Sequence, residues 1–562
     1  MERTIWDLCI QGLEAQSDYP YEETTGIFDN SISYPFRFLE APMHILAEKD
    51  LRNGDPEKAA LRKFMNQNRT LHFLAEMQYL RQKTPGFQRN DEDKDLFVDS
   101  EDEKEETEFQ AQQVKILNMY MSELKDKIQS LPPNWRILQI NTNMSRNSRF
   151  SSHKGDELKE DLNPQLFLSR ASSAEGLDVL HLPPPLHDKE ASSNLLQELQ
   201  KIIHLHTSMY QATNKGFTKK EFAETKNNIE DRIVSLIETM QRQWLRHGAA
   251  WMLGRALDSE RNELLLRTCK EILGKDADSK KVTRLFLLLD AAHQLTDENI
   301  CLGLIDIGLK QALPHVLQFR KNNYVTQDIK RHPIILILDP DIQQLPWDAL
   351  PILVNNPVSR VPSIHFLLVL YEKHRHSKDS VLHSKPHSND VYYVLNPDQN
   401  LGRTQERLET FFQELGLQGS AGAHPSLPEL ENVLSSKEGF MYCGHGSSLK
   451  NLPFQKLESL NVRAMPLLLG CKSGKLERIG RRYDPMGTAN SYMIATAPAM
   501  LGFLWSITDK DVDEWTASFL RFWLDDSNRS LGLVDAVALK KSDFSRFING
   551  ASTVIYGLPL IN

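Results

Sequence analysis

The sequence predicts an α/β protein, a mostly parallel sheet flanked by helices, behind a more polar and helical front. Three observations predict it. Six short apolar runs fill the rear half, at 334–338, 391–395, 440–443, 465–469, 500–505 and 553–556. Helical stretches lie between most of them, at 406–415, 427–434, 489–497 and 512–524. Short continuous apolar runs are what strands buried on both faces require, and intervening helices are the crossovers that parallel pairing demands. Finally, 40% hydrophobic and 25% charged residues are ordinary proportions for a globular chain of 562 residues, long enough for more than one core.

The front is mostly helical by its spacing. Val114, Leu117, Met121, Leu124 and Ile128 recur at helical intervals. The same holds for Leu195, Leu199, Ile202 and Ile203, and for Phe222, Ile229, Ile233, Leu236, Met240 and Trp244. Residues 285–289 and 300–313 also read as helices. Leu131-Pro132-Pro133-Asn134 ends one helix and leads into a strand at 136–140, with 165–169 as its hairpin or neighbouring partner. A small early sheet is therefore expected, well before the main one. Residues 91–108 hold eleven acidic side chains and two lysines, a local −9 that equals the net charge of the whole chain. That stretch is expected to be a disordered loop, and the polar, serine-rich 143–163 a linker.

Charge and cysteine usage exclude several classes. A chain neutral outside one acidic stretch is not a nucleic-acid binder driven by bulk basic charge. Five scattered cysteines suggest reduced thiols rather than a secreted disulfide framework. The amino-terminal residues lack the pattern of a signal peptide, and the near-apolar run 493–507 is short of a membrane span and broken by Pro498 and Gly502. A soluble, intracellular protein is expected.

Two strand ends carry the chemistry. The third apolar run leads into Tyr442-Cys443-Gly444-His445-Gly446-Ser447, the fourth into Leu469-Gly470-Cys471-Lys472-Ser473-Gly474. In parallel sheets the working residues sit on loops at the carboxyl ends of strands. If the two strands are neighbours, His445 and Cys471 share one crevice. A cysteine attacks as thiolate, and an imidazole beside it supplies the base. The flanking glycines allow an extended backbone to approach, and the N–H groups of Gly446 and Cys471 are candidates to hold an oxyanion. Other readings of the same residues stay open: a turn histidine, a buried small thiol, or a metal site from Cys443, His445 and Cys471, although the last lacks the usual paired spacing.

Taken with Trp505-Ser506-Ile507-Thr508-Asp509-Lys510-Asp511-Val512-Asp513 and Val554-Ile555-Tyr556-Gly557-Leu558-Pro559, these motifs resemble the protease domain of separase, a caspase-like cysteine endopeptidase. Leu345-Pro346-Trp347-Asp348-Ala349-Leu350-Pro351, Ser359-Arg360-Val361-Pro362-Ser363 and Leu131-Pro132-Pro133-Asn134-Trp135 extend the resemblance over roughly residues 126–562. It implies His445 as general base and Cys471 as nucleophile, without a cofactor. It implies cleavage of the kleisin subunit of cohesin after arginine, at anaphase. An arginine pocket needs a carboxylate, and Asp509, Asp511 and Asp513 offer three, with Asp513 aligned to the family's arginine-binding aspartate. The same carboxylates also suit the first turn of a helix, where they favour its dipole. Lys472 and Ser506 depart from the family pattern. A lysine at 472 would help form the thiolate or point to solvent.

The resemblance further implies three regions. Residues 1–125 form a helical amino-terminal region containing the loop 91–108, residues 126–328 a pseudo-protease domain with a helical insert, and residues 329–562 the active caspase-like domain. The short front is similar to insect separases, which implies a separate helical regulatory subunit covering the amino-terminal helices. A securin-type inhibitor is expected in the active-site groove, with a cytoplasmic location and access to chromosomes in mitosis. No nucleic-acid motif or membrane association is expected.

Overall fold

The structure is a computed structural model. It describes residues 46–65, 121–142, 165–184, 195–212, 218–274, 277–323, 329–376, 385–446, 452–477, 484–528 and 530–559, together with isolated positions between 67 and 119 and residue 382. The acidic stretch 91–108 and the linker 143–163 lie outside the described residues.

Eleven strands are described: β1 (Arg136–Thr142), β2 (Leu166–Ser172), β3 (Gly176–Leu182), β4 (Ile334–Leu338), β5 (Val358–Arg360), β6 (Val391–Leu395), β7 (Gln418–Ala421), β8 (Gly439–Cys443), β9 (Met465–Leu468), β10 (Ala499–Phe503) and β11 (Thr553–Gly557). They form one sheet in the order β3-β2-β1-β4-β5-β11-β10-β9-β8-β6-β7. The pairs β1–β2, β2–β3 and β10–β11 are antiparallel and the other seven are parallel. All six apolar runs of the rear are strands. Their wholly buried patterns, such as Ile334–Leu338, fit a sheet covered on both faces.

The early sheet is not separate, contrary to the expectation from sequence. β1 pairs in parallel with β4, Ile137 opposite Ile335 and Ile140 opposite Leu338, and this joins the front strands to the rear. Three strands, β3, β5 and β7, have no counterpart among the apolar runs. β3 and β7 are the two edges: in β3 exposed Gly176 and His181 and half-buried Asp178 interrupt the apolar residues, and β7 has no buried residue. β5 is three residues long and carries a buried arginine.

Six helices shape the sheet's surroundings and the cleft: α1 (Pro56–Met65), α2 (Leu195–Ala212), α3 (Lys219–Thr239), α4 (Gly402–Glu414), α5 (Asp509–Trp523) and α6 (Phe547–Ala551). The resemblance implies a separate helical subunit over the helices before residue 130, the alternative being that they pack on this chain's own protease half. Within α1, however, Ala59, Ala60 and Phe64 are at most 1% exposed, because α1 packs on β1, β2 and β3 of its own sheet. Polar side chains fix that docking. Gln139 Nε2 donates to the Lys63 carbonyl (2.7 Å), Asn141 Nδ2 to Gln67 (3.0 Å), and Gln67 Nε2 to the Leu338 carbonyl (3.0 Å).

The helices of the front follow their apolar spacing only in part. The helix expected from Val114 is Met121–Gln129, burying Leu124 and Ile128, while Val114 and Leu117 lie outside the described residues. α3 starts at a capping box on Thr218 and Glu221, and passes at Met240 into a π-helical turn. The expected helix 300–313 breaks at Gly308, whose φ of +77° suits glycine. The helical insert meets the rear at Arg546. Its Nε donates to Glu230 of α3 (2.8 Å) and its Nη1 to Tyr210 Oη of α2 (2.6 Å).

Candidate active site

β8 and β9 are parallel neighbours, with Tyr442 opposite Leu468. The Leu469 N–H continues the ladder to the Tyr442 carbonyl (2.9 Å). The loops after them therefore leave the same sheet edge side by side. The second loop crosses the first at Gly470. A Cβ there would lie 2.0 Å from the Gly446 carbonyl oxygen and 2.5 Å from that of Gly444, so only glycine permits the approach. Tyr442 Oη donates to the His445 carbonyl (3.3 Å), and Gly446 turns the chain at φ +75°. His445 and Cys471, 26 positions apart in sequence, are thereby brought to one cleft.

The far side of the cysteine loop is fixed against β10. Ser473 Oγ donates to the Leu468 carbonyl (2.6 Å) and accepts from the Phe503 N–H (3.1 Å). The Gly474 N–H donates to the Phe503 carbonyl (2.9 Å), and Tyr556 Oη to the Gly474 carbonyl (3.1 Å). Between these anchors, Lys472 stands at φ +60° with an exposed side chain. A non-glycine residue in that conformation costs on the order of 1 kcal/mol.

The cleft is open to solvent and is lined by Thr404, Cys443, His445, Cys471, Asp509 and Asp513 among others. His445 is exposed and Cys471 half-buried. The Cys471 thiol donates to the Ile507 carbonyl (3.2 Å). Burial pushes this thiol above the ordinary range and the nearby Asp509 charge adds to that, while Lys472 pulls the other way. Cys443, the other thiol here, is 4% exposed, and burial raises its pKa strongly.

The three aspartates separate. Asp513 is 3% exposed within the cleft. Its Oδ2 accepts from Thr404 Oγ1 (3.0 Å) and from Arg407 Nη1 (2.6 Å). Burial raises the Asp513 carboxyl above the usual carboxylate range, and the bonds from Arg407 and Thr404 offset this only in part. Asp509 lies exposed on the cleft wall. Asp511 does not line the cleft. Its carboxylate accepts from the hydroxyls of Thr508 and Ser545 and from Asn549 Nδ2 (3.0 Å), while its N–H is capped by Thr508. Asp511 therefore occupies the helix-start role that the sequence also allowed for these carboxylates.

Thr404 and Arg407 were not visible from sequence. They lie on α4, one turn apart, and meet Asp513 more than a hundred positions away. No local pattern announces that pairing. The motif residues Asp348 and Arg360 stand apart from the cleft. They form a buried ion pair, Arg360 Nε to Asp348 at 2.8 Å, and Arg360 also donates to the Gln343 carbonyl (2.7 Å).

Residues 256–512 match the family model of the separin protease domain. Separin of Mus musculus is 31% identical over 390 residues, covering 67% of this chain. Separin of Schizosaccharomyces pombe is 26% identical over 590 residues, covering 96% of it. The chain spans only 18% and 28% of the lengths of these two curated relatives. By structure, 89% of the chain superposes on 34% of the Saccharomyces cerevisiae separase chain in its complex with securin, with a TM-score of 0.66 at 20% identity. That likeness shows the fold. A protease-domain match inside the described α/β core, and separin relatives across most of its length, make this chain a member of the separase family.

Proposed function

We propose that the chain is a cysteine endopeptidase that cleaves the kleisin subunit of cohesin after arginine and so releases sister chromatids at anaphase. The observation that carries this reading is the Gly470 contact, which sets the His445 and Cys471 loops on adjacent strand ends at one open cleft. Peptide would lie extended along the strand ends, its arginine toward Asp513. His445 takes the thiol proton, and sulfur attacks the carbonyl carbon. The oxyanion is held by the N–H groups of Gly446 and Cys471. His445 then gives its proton to the leaving amine, and the new amino terminus departs. Water, deprotonated by His445, opens the thioester and frees a carboxylate at the arginine.

The raised pKa of Cys471 and its bond to the Ile507 carbonyl support a resting thiol that ionises when peptide brings His445 into play. The yeast neighbour is a complex with securin, which supports a securin-type inhibitor in the same groove. The family reading carries with it a separate helical regulatory subunit on the amino-terminal region and a cytoplasmic location with access to chromosomes in mitosis. No cofactor takes part in these steps.

The test is Cys471→Ser with a kleisin fragment as substrate. Turnover is expected to fall by at least about 10³-fold while the melting temperature stays within a few degrees. A peptide bearing an electrophile after arginine should label Cys471, and should do so only with His445 intact. Undiminished cutting by the serine variant would end the assignment. Absence of labelling in a folded chain would favour a binding scaffold.

A further inference from the structure

Asp513 is buried, and both of its protein donors meet one oxygen. Thr404 Oγ1 and Arg407 Nη1 converge on Oδ2, and among the described residues no donor reaches Oδ1. The two donors differ in position. Thr404 lines the cleft, whereas Arg407 lies outside the lining and its side chain is 37% exposed. Arg407 therefore grips the carboxylate from behind, across the packing of α4 on α5. Oδ1, which neither donor holds, is the oxygen left for a guanidinium entering from the cleft.

We propose that Arg407 is a positioning residue for arginine recognition: it fixes the Asp513 carboxylate through Oδ2 and keeps it ionised, so that Oδ1 is presented to the substrate guanidinium. This rests on the reading of Asp513 as the arginine acceptor. The physical need is plain. A carboxylate this buried disfavours its charged form, and a neutral acid gives a guanidinium no ionic partner. One cation already bonded to the far oxygen holds the charge in place and fixes the rotamer. The other titratable groups around Asp513 do not do this. Asp509 on the same helix is a like charge, Cys443 from β8 and Cys471 from the loop after β9 are thiols with raised pKa, and His445 lines the cleft exposed.

Binding without turnover isolates the effect. The Cys471→Ser chain is titrated calorimetrically between pH 5 and 8 with a peptide amide ending in arginine, and with its norleucine counterpart. Arg407→Gln should weaken the arginine peptide about tenfold near pH 6 and leave the norleucine peptide within about twofold. Without the cation, the Asp513 carboxyl titrates higher, so the acid limb of arginine binding should move to higher pH. Arg407→Lys, which keeps a charge, should restore part of the loss. If Arg407→Gln binds the arginine peptide equally or more tightly, with an unmoved limb, the positioning role is overturned while the pocket stands. If the chain with Arg407 intact shows no preference for arginine over norleucine, the pocket reading fails and takes this inference with it.

Discussion

The carboxyl ends of β1 and β4 and those of β8 and β9 are the same construction put to different uses. Both are adjacent parallel pairs whose carboxyl ends lie side by side. At β1 and β4 hydrogen bonds join the two ends directly. The Asp339 N–H donates to the Ile140 carbonyl (2.9 Å), and its carboxylate accepts from the N–H groups of Thr142 (3.1 Å) and Asp341 (2.9 Å). Gln67 closes the end of β4 from above. At β8 and β9 the two ends instead border an open cleft, and the loops hold a histidine and a half-buried cysteine. A parallel strand end thus becomes a site when its loops approach closely through glycine backbones and turn their side chains to a cleft. It becomes structure when an aspartate ties the two strand ends together.

The largest way to break this contrast is Gly470→Ala. The added carbon would meet two backbone oxygens at 2.0 and 2.5 Å, neither of which is a flexible tip, so one loop must move by about an ångström or more. A displacement of that size at a catalytic pair costs on the order of 10²-fold in kcat/KM. The expected outcome is a folded chain with kcat/KM for an arginine peptide down at least about a hundredfold and with slowed electrophile labelling of Cys471. Retained activity would mean that loop contact does not set the geometry.

Much of this contrast could be read in the sequence, and the unread part has a physical reason. The rear strands announced themselves because burial on both faces leaves an unbroken apolar run, as in Ile334–Leu338 and Gly439–Cys443. The glycines around His445 and Cys471 marked loops of close approach. Edge strands such as Gln418–Ala421 left no such trace, since only one side of each is paired. Nor did the joining of β1 to β4, because pairing across nearly two hundred positions depends on packing rather than on local pattern. The division among Asp509, Asp511 and Asp513 was likewise hidden. Two residues along a helix rotate a side chain by more than half a turn, and only the neighbours α4 and α6 decide which carboxylate meets the cleft.

The mirror substitution is Asp339→Ala. It removes one acceptor for two backbone N–H groups at a site where Asp339 is 2% exposed. Loss of such bonds costs about 1–3 kcal/mol. Chemical denaturation should therefore show a lower midpoint with an unchanged m-value. Labelling of Cys471 under native conditions should match that of the parent. A selective loss of labelling without loss of stability would show that the two strand ends are coupled, and the separation of structural from catalytic strand ends would fall.

The smallest expected effect concerns strain. Among the described residues, non-glycine residues in the left-handed region follow β6, at Asn396 (φ +50°), and β9, at Lys472 (φ +60°), while none directly follows β4. Lys472→Gly relieves the steric part of that strain, and its gain is offset by the extra freedom of glycine in the unfolded chain, so stability should rise by at most about 1 kcal/mol. It also removes the positive charge that favours the Cys471 thiolate. Alkylation by iodoacetamide at pH 7 should then slow by about two- to threefold. In both chains the rate should climb as pH passes the ordinary thiol range, because burial holds the folded thiol above it. The linkage has a definite sign. A thiol that ionises later folded than unfolded leaves stability intact at low pH and erodes it as pH rises through the unfolded and then the folded pKa. That alkaline loss should be slightly larger in Lys472→Gly than in the parent. An unchanged alkylation rate would mean that Lys472 points to solvent without electrostatic reach to the sulfur, and the strain at this strand end would then serve only the backbone path that carries Cys471 to the cleft.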